Sequence, residues 1–165
     1  MDDLTFRQLK GTGYHHPEVT EVIFDSDVML TIATDSLNLV QDGYDMLWDI
    51  TMCKFICNHY SDGTKFVEQK ANEKGVKLRL VGEITKNNID FLNSLTYHEI
   101  RHLDGIRSNI GIFDKRAYMV AIFHKESIKP DQIFFSNSKN LVRQQRYLFD
   151  TLWDSAIPFD VKKKI

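Results

Sequence analysis

Residues 99–126, EIRHLDGIRSNIGIFDKRAYMVAIFHKE, and residues 130–140, PDQIFFSNSKN, decide the fold. Three apolar runs sit close together here: Ile106 to Phe113, Tyr118 to Phe123 and Ile133 to Phe135. Each is short, rich in Ile, Val, Phe and Tyr, and bounded by polar residues, which predicts strands. Asp104-Gly105 and Asp114-Lys115 supply the turns. The stretch predicts a group of antiparallel strands late in the chain.

Upstream, strands and helices alternate. Glu21 to Phe24 is a short strand candidate, and Asp25-Ser26-Asp27 offers N-cap chemistry for a helix through Met29, Leu30, Ala33, Leu37 and Val40. Tyr44 to Ile50 predicts a second strand, whereas Thr51 to Tyr60 fits either a continued strand or an irregular helix. Ser61-Asp62-Gly63 opens a helix with Phe66, Val67 and Ala71 inward, and Gly75 stops it. Val76 to Val81 alternates apolar and basic residues as a strand does. Thr85 is placed to cap a helix buried through Ile89, Leu92 and Leu95, and His98 to His102 resumes a strand. A long closing helix runs from about Asn140 to Ala156 and ends at Pro158. Alternating strands and helices predict parallel pairing with helices on both faces. The expected fold is therefore α/β, with a mixed, mainly parallel sheet. The 165 residues read as one domain with its core at about 21–158.

Composition narrows the function. Hydrophobic residues at 42% support a packed core, and a net charge of −2 lacks the basic excess of a general nucleic-acid binder. No apolar run approaches the ~20 residues of a membrane span, and no secretory signal precedes Asp2 and Asp3. The expectation is a cytoplasmic chain with no nucleic-acid or membrane partner. Cys53 and Cys57, at i, i+4 spacing, would share a helix face. Two cysteines and the nearby His59 fall short of a four-ligand zinc site, so they read as structural, reduced thiols. His15 and His16 read as loop histidines. His98 and His102 on a strand stand too far apart to chelate one ion, so no metal is expected. No nucleophile elbow, phosphate loop or dinucleotide fingerprint is present, and no cofactor is expected.

The element order resembles one half of a phospholipase D superfamily unit, whose signature is His-x-Lys-x4-Asp followed by a Gly/Ser-x-Asn segment. With Asp114 in the Asp place, Arg107 takes the His place and Asn109 the Lys place, while Ser136, Asn137 and Asn140 fall where the family's Ser and Asn stand. The resemblance implies a phosphodiesterase or nuclease site that here has lost its nucleophile: a guanidinium stays protonated and does not attack phosphorus. More narrowly, GVKLRLVGEITKNNI, EIRHLDGIRSNIGI and FFSNSKNLVRQQRYLFDTLWDSAIP resemble the phospholipase-D-like sensor region of archaeal multi-sensor histidine kinases. That resemblance implies a non-catalytic sensor of a two-component system, feeding a downstream kinase or signalling segment. The other readings are an active phosphodiesterase or nuclease and the effector-binding domain of a transcription regulator.

Candidate ligand-binding residues follow. Arg107, Asn109 and Asp114 would suit a small anion, although strand alternation alone yields the same pattern. Glu83 follows a strand, where open α/β sheets bind ligands. His102, with Arg101 and Asp104, would either sense pH or brace the turn at Gly105. Phe134, Phe135, Tyr147, Phe149 and Trp153 read as core, with Trp153 alternatively a partner or homodimer contact.

Overall fold

A computed structural model describes residues 18–24, 27, 31, 35, 37–124 and 127–162, apart from the side chain of residue 161. The loop histidines, the cap at Asp25 and Ser26, and the positions Met29, Leu30 and Ala33 lie outside the described residues.

One eight-stranded sheet organises the chain. Its strands are β1 (Thr20–Ile23), β2 (Gly43–Trp48), β3 (Lys77–Gly82), β4 (Glu99–His102), β5 (Ile110–Phe113), β6 (Ala117–Ile122), β7 (Gln132–Ser136) and β8 (Ile157–Pro158). In space they run β1-β7-β6-β5-β2-β3-β4-β8. Among the described residues the helices with defined bounds are α1 (Ile50–His59), α2 (Ser61–Lys74), α3 (Ile89–Ser94), α4 (Lys139–Ser155) and the short turn α5 (Phe159–Lys162). The mixed sheet is as expected, but its balance is not. Among the described residues only β2–β3 and β3–β4 are parallel, and the other five of seven pairings are antiparallel. The physical reason lies in the connections. Helices α1 and α2 span β2 to β3 and α3 spans β3 to β4, whereas the link 103–109 carries no helix. A parallel return needs a crossover of a dozen residues or more, so β5 enters antiparallel to β2 and hairpins add β6 and β7.

The helices cover both faces, as the alternation predicts. On one face α1, α2 and α3 bury Met52, Phe55, Ile56, Val67, Ala71 and Leu92 against Met46, Leu78 and Leu80. On the other, α4 buries Val142, Phe149 and Trp153 against Leu47, Val81 and Ile112. The ambiguous stretch 51–60 is helical because Asp49 caps it, its carboxylate accepting from the Met52 N–H at 2.8 Å. Gly75 ends α2 in the left-handed conformation, φ 71°. Thr85 does not cap α3 directly: its hydroxyl accepts from the Asn87 N–H, and the helix begins at Ile89. Two inward assignments are corrected. Phe66 is exposed and lies beside Lys70, and Tyr147 is exposed on α4. Among the described residues no helix is long and apolar enough to cross a membrane.

Candidate functional site

The strand directions sort the candidate residues into two groups. The carboxyl ends of parallel β2, β3 and β4 share one end of the sheet with the start of antiparallel β5. Glu83, His102, Arg107 and Asn109 gather at that end. The β5–β6 turn and the end of β7 lie at the other, so Asp114, Ser136, Asn137 and Asn140 stand there. Asn109 and Asp114 bracket β5 and are about 16 Å apart at ~3.3 Å of rise per residue. The structure therefore does not bring Arg107, Asn109 and Asp114 together as one anion pocket. Nor do Ser136 and Asn137 join Arg107 and Asn109. The spacing frame hid this, because β5 carries the chain from one end of the sheet to the other between Asn109 and Asp114, and β7 also ends at the far end.

Each group has structural occupations. Asn109 is buried, and its Oδ1 accepts from the Asp49 N–H at 2.8 Å, tying the start of β5 to the start of α1. Arg107 is exposed. Asp114 carries φ 48° and Lys115 φ 63°, the paired positive values of a hairpin turn that Asp tolerates well. Its carboxylate accepts from the N–H groups of Gln41, Asp42 and Gly43 at 2.8, 2.8 and 3.0 Å, and from Arg116 at 2.8 Å. Burial pulls its pKa up, but these donors outweigh it and hold the carboxyl below its ordinary range. Ser136 is fully buried, with its Oγ 2.9 Å from the Thr20 hydroxyl and accepting from the Ser138 N–H. Asn137 Oδ1 accepts from the Val19 N–H at 2.6 Å. Asn140 is exposed in the first turn of α4.

Glu83 and His102 lie at neighbouring strand ends, Glu83 following Gly82, the register partner of His102. His102 is buried, and its Nδ1 accepts from the Ile84 N–H at 2.9 Å, so the proton of the neutral ring sits on Nε2. That Nε2 lies 3.1 Å from Asp104 Oδ1, off the direction of a hydrogen bond. Burial and the Lys162 charge lower the His102 pKa, against a smaller opposite pull from Asp104 and Glu83. Asn88, also buried, braces this corner by donating to Glu83 O and accepting from the Thr85 N–H.

Sequence reasoning missed the pair Glu68–His98. His98 Nδ1 lies 2.5 Å from Glu68 Oε2, which also accepts the His98 backbone N–H. Burial raises the Glu68 pKa, yet the His98 hydrogen bonds prevail and the carboxyl falls below its usual range. His98 lines a pocket of about 60 Å³ on the α1–α2 face of the sheet. Tyr44, Met46, Trp48, Tyr60, Asn109 and Met119 share its wall. Burial, reinforced by Tyr60, pushes the Tyr44 hydroxyl well up, so it stays a neutral phenol. The only available signal was Glu68 itself, a carboxylate one residue from the inward Val67. Cys53 is buried, its thiol pushed up to about 12 by burial first and then by Cys57 and Asp49. It is thus a protonated, unreactive thiol. Among the described residues no group of three or more His, Cys, Asp or Glu side chains is placed to hold a metal.

No protein-family model matches the sequence, and no curated protein does. Solved structures do match in fold. NucT from Helicobacter pylori superposes at TM-score 0.66 with 9% identity, over 86% of this chain and 99% of its own. Nuc from Salmonella typhimurium, a phospholipase D family member, gives 0.64 with 10% identity, over 86% and 98%. TrmBL2, an archaeal chromatin protein with its own mode of DNA binding, gives 0.61 with 16% identity. That match covers 93% of this chain but only 58% of TrmBL2. The fold is phospholipase D-like: a mixed α/β architecture around one open sheet.

Proposed function

We propose that this chain is a non-catalytic ligand-binding module, the sensor part of a signalling protein, on a phospholipase D-like fold. The observation that carries the reading is what stands in the signature places. Arg107 is a permanent cation and no nucleophile. Asn109 is committed to the Asp49 backbone, and Asp114 is consumed by three backbone amides at the far end of β5. The resemblance to the sensor region of archaeal histidine kinases supports a two-component setting. A second reading, the effector-binding part of a transcription regulator, is favoured by TrmBL2, which matches nearly all of this chain with 58% of its own.

The test is incubation with a chromogenic phosphodiester and with single-stranded DNA, beside His98→Phe and His102→Asn variants. The expected result is no turnover above a buffer blank. Turnover that co-purifies with the chain and disappears in either variant would falsify the reading and return the molecule to the nucleases. Retention of duplex DNA at physiological salt by the isolated chain would instead argue for direct nucleic-acid binding.

A further inference from the structure

We infer that the pocket beneath α1 is a binding site for a small uncharged molecule with an apolar body and one hydroxyl or N–H donor, anchored on Nε2 of His98. The inference deepens the ligand-binding reading above and rests on it. Three observations carry it.

The first is the ring itself. The His98 side chain is 0% exposed, and its Nε2 has no hydrogen-bond partner among the described residues. Buried polar atoms are nearly always paired, and an orphan is costly. Glu68 holds the opposite edge of the ring with a carboxylate that only accepts, so the proton sits on Nδ1. In that Nδ1–H tautomer Nε2 is the acceptor nitrogen and calls for a donor. The second is the wall. Met46, Met52 and Met119, three of the five methionines in the chain, line the pocket. Methionine repacks readily, so about 60 Å³ at rest can open to admit a ring. A cavity of roughly 150 Å³ lined by aliphatic and aromatic side chains takes benzene. The third is charge. Among the described residues lining the pocket there is no lysine or arginine. The Glu68 carboxylate stands against the far edge of the His98 ring and repels anions. An anionic ligand is therefore disfavoured here, and a neutral phenol-like or indole-like molecule is preferred.

The probe is phenol, with toluene and benzoate as comparators, titrated into the full chain with isotope-labelled histidine. Phenol is expected to bind and to shift the His98 Nε2 nitrogen resonance, as an acceptor nitrogen does when a donor arrives. Toluene is expected to leave that resonance in place, and benzoate to bind at least tenfold more weakly than phenol. Ala121→Leu, which fills the pocket from β6, is expected to weaken phenol at least tenfold. Met52→Phe fills it from α1 and serves if the first variant does not fold. The inference is overturned if phenol does not bind at millimolar concentration, or if it leaves the His98 resonance unmoved. It is equally overturned if benzoate competes on equal terms, or if the folded filling variant binds like the parent. The phosphodiester assay bears on the non-catalytic reading and the His98 resonance on this inference, so their failures are distinguishable.

Discussion

Arg79 and Asp45 are register partners on adjacent parallel strands, and their side chains close a bidentate pair with both contacts at 2.7 Å. The guanidinium also stacks beneath α4, 4.9 Å from the Phe149 ring centre and 5.1 Å from that of Trp153. One side chain thus ties β2, β3 and α4 together. The hydrogen bond that Arg79 donates to Asp45 is the main reason the Arg79 pKa rises.

Removing one partner of such a partly buried pair strands the other charge. Arg79→Ala is expected to cost about 3 kcal/mol, the low end for buried pairs because both side chains retain some exposure. Arg79→Lys keeps the charge but loses the planar fork and the stacking, and should recover less than half of the loss. Urea melts of the three proteins check this. An Arg79→Ala loss under about 0.5 kcal/mol would place the pair among ordinary surface contacts.

Trp153 answers the question of whether α4 belongs to the sheet. It is 7% exposed, stacks on Phe149 with centroids 5.8 Å apart and receives Arg101 at 4.2 Å over its face. Arg101 also donates to its backbone carbonyl at 2.9 Å. Trp153→Ala is expected to cost ~3–5 kcal/mol. A loss below about 1 kcal/mol in a denaturant melt would mean that the indole is a surface contact after all.

His102 predicts a pH dependence of stability. Its folded pKa is depressed, chiefly by burial, below the usual value near 6.5. The unfolded chain then binds a proton before the folded one does. The contribution is fully present above about pH 6.5 and falls away as pH drops towards the lower, folded pKa. Protonation also ends the Ile84 N–H bond to Nδ1, since a charged ring cannot accept. His102→Asn can keep an acceptor for Ile84 and removes the titration. Urea midpoints at pH 7.5 and 5.5 should differ more for the parent than for this variant; equal differences would assign the slope to other groups.

Much of the architecture was legible because it follows from local pattern. The β5, β6 and β7 runs, the stop at Gly75 and the long closing helix α4 each declare themselves from neighbouring residues. What was not legible depends on pairs distant in sequence. Glu68 and His98 stand 30 residues apart, and nothing near either predicts the other. Parallel and antiparallel pairing turned on the helix-free link 103–109. The length of β5 separated Asp114 from Arg107, and β7, which ends beside the β5–β6 turn, separated Ser136, although the spacing had grouped them. Phe66 and Tyr147 were misplaced because aromatic residues were assumed inward, whereas large apolar side chains also occur singly on surfaces.

Asp114 gives the last prediction, and it separates a structural aspartate from a catalytic one. Its side chain is 3% exposed and gathers the amides of three successive residues, Gln41 to Gly43, at the entrance to β2. It does so from a left-handed backbone conformation that Asp and Asn accept and Ala resists. Asp114→Ala loses the acceptors and adds backbone strain, so it should cost about 2–3 kcal/mol, the scale of hydrogen bonds to a charged group. Asp114→Asn keeps the turn and one acceptor oxygen and should cost about half as much. Because the folded pKa is depressed, the contribution stands in full above the ordinary carboxyl range near 3.9 and fades as pH falls below it. Melts at pH 7 and pH 3 should therefore show the penalty of Asp114→Asn shrinking in acid. Neither variant should lose affinity for phenol, since Asp114 does not line the pocket. A folded Asp114→Asn protein with native stability at pH 7 would remove the clamp from the account and leave Asp114 free for chemistry.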